Sequence, residues 1–302
     1  MLCLPDARPE SRAEYREFTA ALAQRGFTEG ANLKIERAGG TSMEARALAE
    51  AAQALVARRP DVLTSWCGTS GALAAKAAAK GLPVVFSSSA DPVALGLVAS
   101  LARPGGNVTG FSARSFETGA KGLEYLVEAK RSIKRVAVVH HSSSLQLPWY
   151  VGFRAALERA AQQLGVAIQF SPVADAGGLE PEFERLVKSH VDAVQVLGGI
   201  QSPPRFFEKV CELALKHRLP SAGGTARLRA GAGALVGFVD ETGAASRRMA
   251  RYVARILQGT KPGELPIEQV DPPGLSIDLR VARALGLTFP PALLARATEV
   301  LE

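Results

Sequence analysis

The chain of 302 residues has few of the side chains around which metal sites, thiol chemistry and base stacking are built. There are three cysteines, Cys3, Cys67 and Cys211, four histidines, and aromatic residues at only 6%. The cysteines show no metal-type spacing, and their odd number argues against a disulfide framework. Cys67 lies beside a glycine loop, where a thiol is either a nucleophile or a small buried residue; with no histidine near in sequence, the buried thiol is the simpler reading. His140, His141, His190 and His217 offer no HExxH or paired-ligand spacing, so neither a metal nor a cofactor is expected. No GxGxxG opens a helix after the first strand, and no GxSxG elbow is present. Gly68-Thr69-Ser70-Gly71 is too short for a P-loop and lacks its lysine. The chain reads as a non-enzyme.

Long single-sign and apolar runs are also missing. The net charge is +7, but the 36 Lys and Arg are scattered, with no run of five. With so few aromatics, neither a basic tract nor a stacking platform points to nucleic acid. No apolar run reaches the roughly 18–20 residues that span a bilayer. Met1-Leu2-Cys3-Leu4 is too short for the apolar region of a signal peptide and meets Pro5-Asp6 at once. Leu2-Cys3-Leu4 instead reads as a strand already in progress, which suggests a trimmed or mis-called start.

What is present is an almost regular alternation of strand and helix, the pattern of parallel sheets with helices on both faces. Helices are expected at 10–25, 42–59, 72–80, 149–164, 181–189, 204–217, 241–257, 280–285 and 291–301, with a short one near 93–101. Strands are expected at 32–37, 61–65, 84–86, around Val108, and at 136–139, 167–170, 193–197, around Ser221, and at 235–239 and 275–278. One α/β architecture thus occurs twice, joined near Ser112–Glu117. Pro262, Pro266, Pro272 and Pro273 stiffen an extended connection in the tail.

The stretch Gly81–Phe111 is the most informative. Its apolar strand Val84-Val85-Phe86 runs into Ser87-Ser88-Ser89-Ala90-Asp91-Pro92, placing hydroxyls and a carboxylate at the carboxyl edge of a sheet, where open α/β folds hold ligands. Thr69 and Ser70 begin a helix whose free N–H groups favour an anion such as a carboxylate, although Ser and Thr are also ordinary caps. Asp91 either meets a ligand ammonium or caps the turn that Pro92 opens.

Several segments carry a resemblance. Asp91-Pro92-Val93, Leu95-Gly96-Leu97-Val98-Ala99-Ser100-Leu101 and Arg103-Pro104-Gly105-Gly106-Asn107-Val108-Thr109-Gly110 look like a bacterial ABC-transporter substrate-binding protein family whose better-known members take aromatic amino acids. The tail agrees, in Ile256-Leu257-Gln258-Gly259-Thr260-Lys261-Pro262, Ala282–Leu287 and Pro290–Ala297, as does the early Gly26–Leu33. The resemblance covers nearly the whole chain. It implies a type I periplasmic binding protein fold, α/β, with two Rossmann-like lobes and a three-crossing hinge. Residues 1–113 with 241–267 would form one lobe, and 114–240 with 268–302 the other. It implies a periplasmic protein that closes over a small ligand, an amino acid or related carboxylate, and delivers it to an ABC permease. The rival expectation is a ligand-sensing module that signals to a partner protein.

In that frame Phe111 and Ser112 lie near the first crossing, where Phe111 either walls the ligand or packs in the core. His141 and Ser142 sit at the mouth of the second lobe. Trp149 and Tyr150 either line the cleft or staple a helix. Gly199 gives close backbone approach or a turn, and Asp240 at the second crossing is an ammonium partner or a hinge cap. The chain departs from the family at Gly274–Asp278, at Gly237–Asp240 and in the loop His140–Ser144. All three are cleft-facing in the family, so the ligand is not inherited with the fold.

Overall fold

The computed structural model describes residues 1–2, 9–38, 44–88, 90–113, 115–197, 205–223, 230–231, 233–239, 243–271 and 273–302. The candidates Ser89, Gly199 and Asp240 lie outside the described residues. Contacts divide the chain into two compact units, Met1–Arg114 with Glu241–Asp271 and Ser115–Asp240 with Pro272–Glu302.

In chain order the first segment supplies α1 (Pro9–Ala23), α2 (Ala45–Val56), β1 (Leu63–Ser65), α3 (Gly68–Ala79), β2 (Val84–Ser88) and β3 (Val108–Ser112). The middle supplies α4 (Ser115–Ala129), β4 (Arg135–His141), α5 (Tyr150–Leu164), β5 (Ala167–Val173), α6 (Leu179–Lys188) and β6 (Ala193–Leu197). It continues with α7 (Phe206–Lys216), β7 (Ser221–Gly223) and β8 (Val236–Val239). The tail adds α8 (Ala244–Leu257), β9 (Glu268–Gln269), β10 (Gly274–Asp278), α9 (Leu279–Leu285), α10 (Pro291–Leu294) and β11 (Ala297–Leu301).

Local signals explain these elements. Along α8, Met249, Tyr252, Val253 and Ile256 recur at helical spacing and are all buried. The helix α5 stops at Gly165 and α9 at Gly286, both in the left-handed conformation that ends helices. In α6, Glu180 and Glu182 occupy the first turn and Arg185 and Lys188 the last, in line with the helix dipole.

The first unit is built on a parallel sheet in the order β1-β2-β3-β9. Strand alternation splits its core in two. Val84, Phe86 and Val108 pack with α2 and α3, whereas Val85 and Phe111 pack with α1 and α8. The second unit has seven strands in the order β11-β10-β8-β7-β6-β4-β5. They are parallel except for the β10–β8 pair, which is antiparallel. Val136 and Val138 face α4 and α5, and Ala137 and Val139 face α6 and α7.

Four expectations need correcting. Residues 32–37 do not form a strand: Ala38 makes a single bridge to Leu2, which also bridges Ser65. Among the described residues the segment otherwise bridges only at Leu33, to Glu29, and the Met1 ammonium donates to the Glu36 carbonyl. Residues 93–101 are turns, because Asp91 Oδ1 accepts from the amides of Val93 and Ala94 and Gly96 then takes a positive φ of 65°. The expected helix 291–301 is the four-residue α10 followed by β11, an edge strand beside β10. Cys67 is disulfide-bonded, and its partner lies outside the described residues; Cys211 is free and buried. Among the described residues no helix is long and apolar enough to cross a membrane.

Candidate functional site

At the carboxyl edge of the first unit's sheet, the alternation that buries Phe86 also turns Ser88 toward α3. Its neighbour in register is Ser112, the last residue of β3. Ser88 Oγ donates to the carbonyl of Ala90 at 3.1 Å and accepts the Ala90 amide at 3.2 Å. Ser112 Oγ donates to the same carbonyl at 3.1 Å. With the Ser88 proton committed, the 3.1 Å contact between Thr69 and Ser88 is donated by Thr69. Thr69, Ser88 and Ser112 are all buried, and they pin the chain after β2 to the first turn of α3. Phe111 is 2% exposed and belongs to the core that includes Trp66 and Val85.

Two candidates stand apart from this frame. Ser70 and Ser87 are half-buried, and among the described residues neither hydroxyl has a hydrogen-bond partner. Ser70 lies in the first turn of α3, whose N-cap, Cys67, supplies no side-chain acceptor. The first-turn N–H groups of such a helix carry its positive partial charge. Ser65 Oγ, at the end of β1, is fully buried and unpartnered. Asp91 is exposed, and one carboxylate oxygen is used on the turn amides, at 2.8 and 3.2 Å.

In the second unit, β4 ends in His140 and His141, whose rings are fixed by their partners. A carbonyl can only accept, so His141 Nε2 carries the proton it gives Ala174 at 2.8 Å. Its Nδ1 then accepts from Ser143 Oγ at 2.7 Å. Both nitrogens are thus used to brace the loop, and the ring meets the edge of Phe206 with centroids 6.0 Å apart. By the same logic His140 Nδ1 donates to the His141 carbonyl, and Nε2 accepts from the Tyr150 hydroxyl at 3.0 Å. Burial holds the His140 pKa below its ordinary value. Trp149 packs edge-on against Phe153 with centroids 6.0 Å apart, and Tyr150 is buried in the core. Ser142 remains half-buried with no partner for its hydroxyl among the described residues.

Sequence reading missed the internal role of the hydroxyls. Runs such as Ser87-Ser88-Ser89 do not say which oxygens will satisfy one another, since that depends on the loop's return path. Strand alternation alone was the signal that could separate Ser87 from Ser88. Among the described residues there is no cluster of His, Cys, Asp and Glu able to hold a metal.

Comparison with known proteins gives this two-unit α/β fold a class. A conserved domain protein from Vibrio cholerae has 26% identity and a TM-score of 0.81, covering 98% of this chain and 97% of its own. The structure of an ABC domain in complex with L-Trp from Streptococcus pneumoniae has 23% identity and a TM-score of 0.74, with 98% and 96% covered. The fold is that of the type I periplasmic binding proteins, with two Rossmann-like lobes. The ABC transporter substrate binding protein profile matches residues 8–301, and the chain belongs to that family. A tyrosine-binding protein of Clostridioides difficile is 30% identical over 128 residues, 42% of this chain. The chain spans only 36% of that relative's length.

Proposed function

We propose that the protein is the solute-binding component of an ABC importer, taking an amino acid, aromatic members included, or a related small carboxylate. Family membership over residues 8–301 supports the transport role. The carrying observation is the pair of free hydroxyls, Ser70 and Ser87, beside the uncapped N-terminus of α3 over a fixed hydroxyl frame. A carboxylate there gains N–H donors and a favourable dipole. Thr69, Ser88 and Ser112 hold that surface in place, and the Asp91 oxygen not spent on its turn is the partner for an ammonium. In the second unit Ser142 offers a hydroxyl and the braced His141 a ring face. Ser89, Gly199 and Asp240 complete the proposed set, while Phe111 belongs to the core behind it.

No covalent step is involved. Closure of the lobes follows if the ligand gains contacts in the closed state that it lacks in the open one. The protein would then work outside the cytoplasmic membrane and hand its ligand to a permease. Relatives described as tyrosine-binding and as bound to L-Trp favour aromatic amino acids as the first ligands to try. Thermal-shift screening of amino acids, aromatic acids, purines and sugars tests the reading. Stabilisation by amino or aromatic acids supports it, and stabilisation by uncharged sugars alone contradicts it.

A further inference from the structure

Met1 and Leu2 are buried and held as an interior strand is held, with backbone partners on both sides. Leu2 donates its amide to the Thr64 carbonyl at 2.8 Å, and its carbonyl accepts from Trp66 at 3.2 Å. On the other side the Met1 carbonyl accepts from Ala38 at 3.1 Å, and the Met1 ammonium donates to the Glu36 carbonyl. A nitrogen given to residue 36 and a carbonyl given to residue 38 is the pattern of a parallel ladder. The ammonium thus stands where a strand amide would, and burial lowers its pKa to about 5. Met1 also lines a cavity of about 350 Å³, together with Leu33–Glu36 and Asp61–Thr64. Phe18 of α1 and Val253 of α8 line it from one face of the sheet, and Leu55 of α2 from the other. It lies at the amino end of β1, the opposite end from Thr69 and Ser88.

We propose that this cavity is the seat of an extended strand, the polypeptide directly upstream of Met1 in a longer protein. That strand runs parallel between Leu33–Glu36 and Asp61–Leu63 and completes the first unit's sheet beside β1. About four residues, at roughly 3.3 Å each, match the length of Leu33–Glu36. Met1 packs with the α1 and α8 core and Leu2 with the α2 and α3 core. By alternation the residue before Met1 faces Leu55, and the one before that faces Phe18 and Val253. A parallel strand covered on both faces is a continuous apolar run, so these upstream residues are apolar without a polar side. Continuing the ladder gives their carbonyls to the amides of Thr64 and Glu36. A peptide bond at Met1 also replaces a buried ammonium by a neutral amide, which removes the cost of desolvating a charge.

The test compares the 302-residue chain with two forms extended before Met1, one by Val-Ile-Val-Val and one by Ser-Gly-Ser-Gly. The apolar extension should raise Tm by about 5 °C or more over both other forms. Hydrogen exchange at the Thr64 and Glu36 amides should slow about tenfold or more in that form alone, with β4–β6 unchanged. Equal Tm for the two extended forms, or unchanged exchange at Thr64 and Glu36, overturns the proposal. So does stabilisation of the 302-residue chain by indole with no gain from the apolar extension, which would make the cavity a small-molecule site. Intact-mass analysis of the protein from its native host should find apolar residues before Met1, and a native chain that starts at Met1 or Leu2 contradicts the proposal. None of these readouts involves an added amino acid, so failure of the proposed function would leave them standing.

Discussion

Thr69 Oγ1 and Ser88 Oγ lie 3.1 Å apart, joining the first turn of α3 to the end of β2 beneath the proposed ligand surface. The pair separates hydroxyls that hold the fold from hydroxyls left for a ligand. Ser88→Ala removes a buried group that serves the Ala90 amide, the Ala90 carbonyl and Thr69 at once. It should cost about 2 kcal/mol in urea unfolding, since unpaired buried groups carry the full desolvation penalty. Ser70→Ala should stay within about 0.5 kcal/mol of the parent. A comparable loss in both would refute the distinction.

Gly71→Ala sets two effects against each other. Alanine gains about 1 kcal/mol of helix propensity over glycine. Its methyl, however, would lie 2.4 Å from Cys67 Sγ and 2.7 Å from Ser65 Oγ, both buried. Overpacking of that kind costs about 1–3 kcal/mol. We expect a lower Tm in Gly71→Ala than in the parent. A stabilised variant would show that the sulfur yields freely.

Much of the fold was legible because buried parallel strands and amphipathic helices write their period into the sequence. Where the outcome depended on neighbours, the sequence was silent. Ala297, Glu299 and Leu301 follow α10 and favour a helix by composition, whereas the β-branched Thr298 and Val300 suit a strand. The free edge beside β10 draws them into β11, and Gly274 makes room for Thr298. The disulfide was invisible for a related reason, because cysteines far apart in sequence reveal pairing only through the fold. At the site, Thr69 and Ser70 fall in the first turn of α3, and Ser87 and Ser88 extend β2 beyond the expected end at Phe86. Which of Ser70, Ser87, Ser88 and Ser112 face inward was not legible, because Ala90 claims two of them.

Asp278 caps α9, accepting from the Arg280 and Val281 amides at 2.9 and 3.3 Å, and pairs with the Arg280 guanidinium at 2.6 Å. Burial works against its charge, but the hydrogen bonds from Arg280 and Val281 outweigh this and hold its pKa below the ordinary 3.8. The stabilisation is thus fully present above that value and is lost as pH falls through the lower folded one. Asp278→Ala should cost about 2 kcal/mol at pH 7, from the lost cap and charge-assisted bonds. The gap from the parent should narrow in urea melts toward pH 2.5, and a constant gap would argue against the linkage.

His140 acts in the opposite range. Its folded pKa lies below the ordinary 6.5 because the ring is buried, so the fold prefers the neutral imidazole. As pH drops below 6.5 the unfolded chain takes up protons that the native state refuses, and stability falls until the folded pKa is passed. Stability at pH 5 should be lower than at pH 7.5, and His140→Gln should flatten that slope. Tyr150→Phe leaves Nε2 without its donor and should cost about 1–3 kcal/mol. An unchanged slope in His140→Gln would place the pH dependence elsewhere.

On the proposed function, an anionic group binds at the first turn of α3. Calorimetric titration with L-tyrosine or L-tryptophan and with the matching carboxamide tests it most directly, because only the carboxylate differs. The acid should bind measurably, the amide at least tenfold more weakly, and Ser70→Ala should show a similar loss for the acid. Equal affinity for acid and amide, or affinity for acids that Ser70→Ala leaves unchanged, would contradict it.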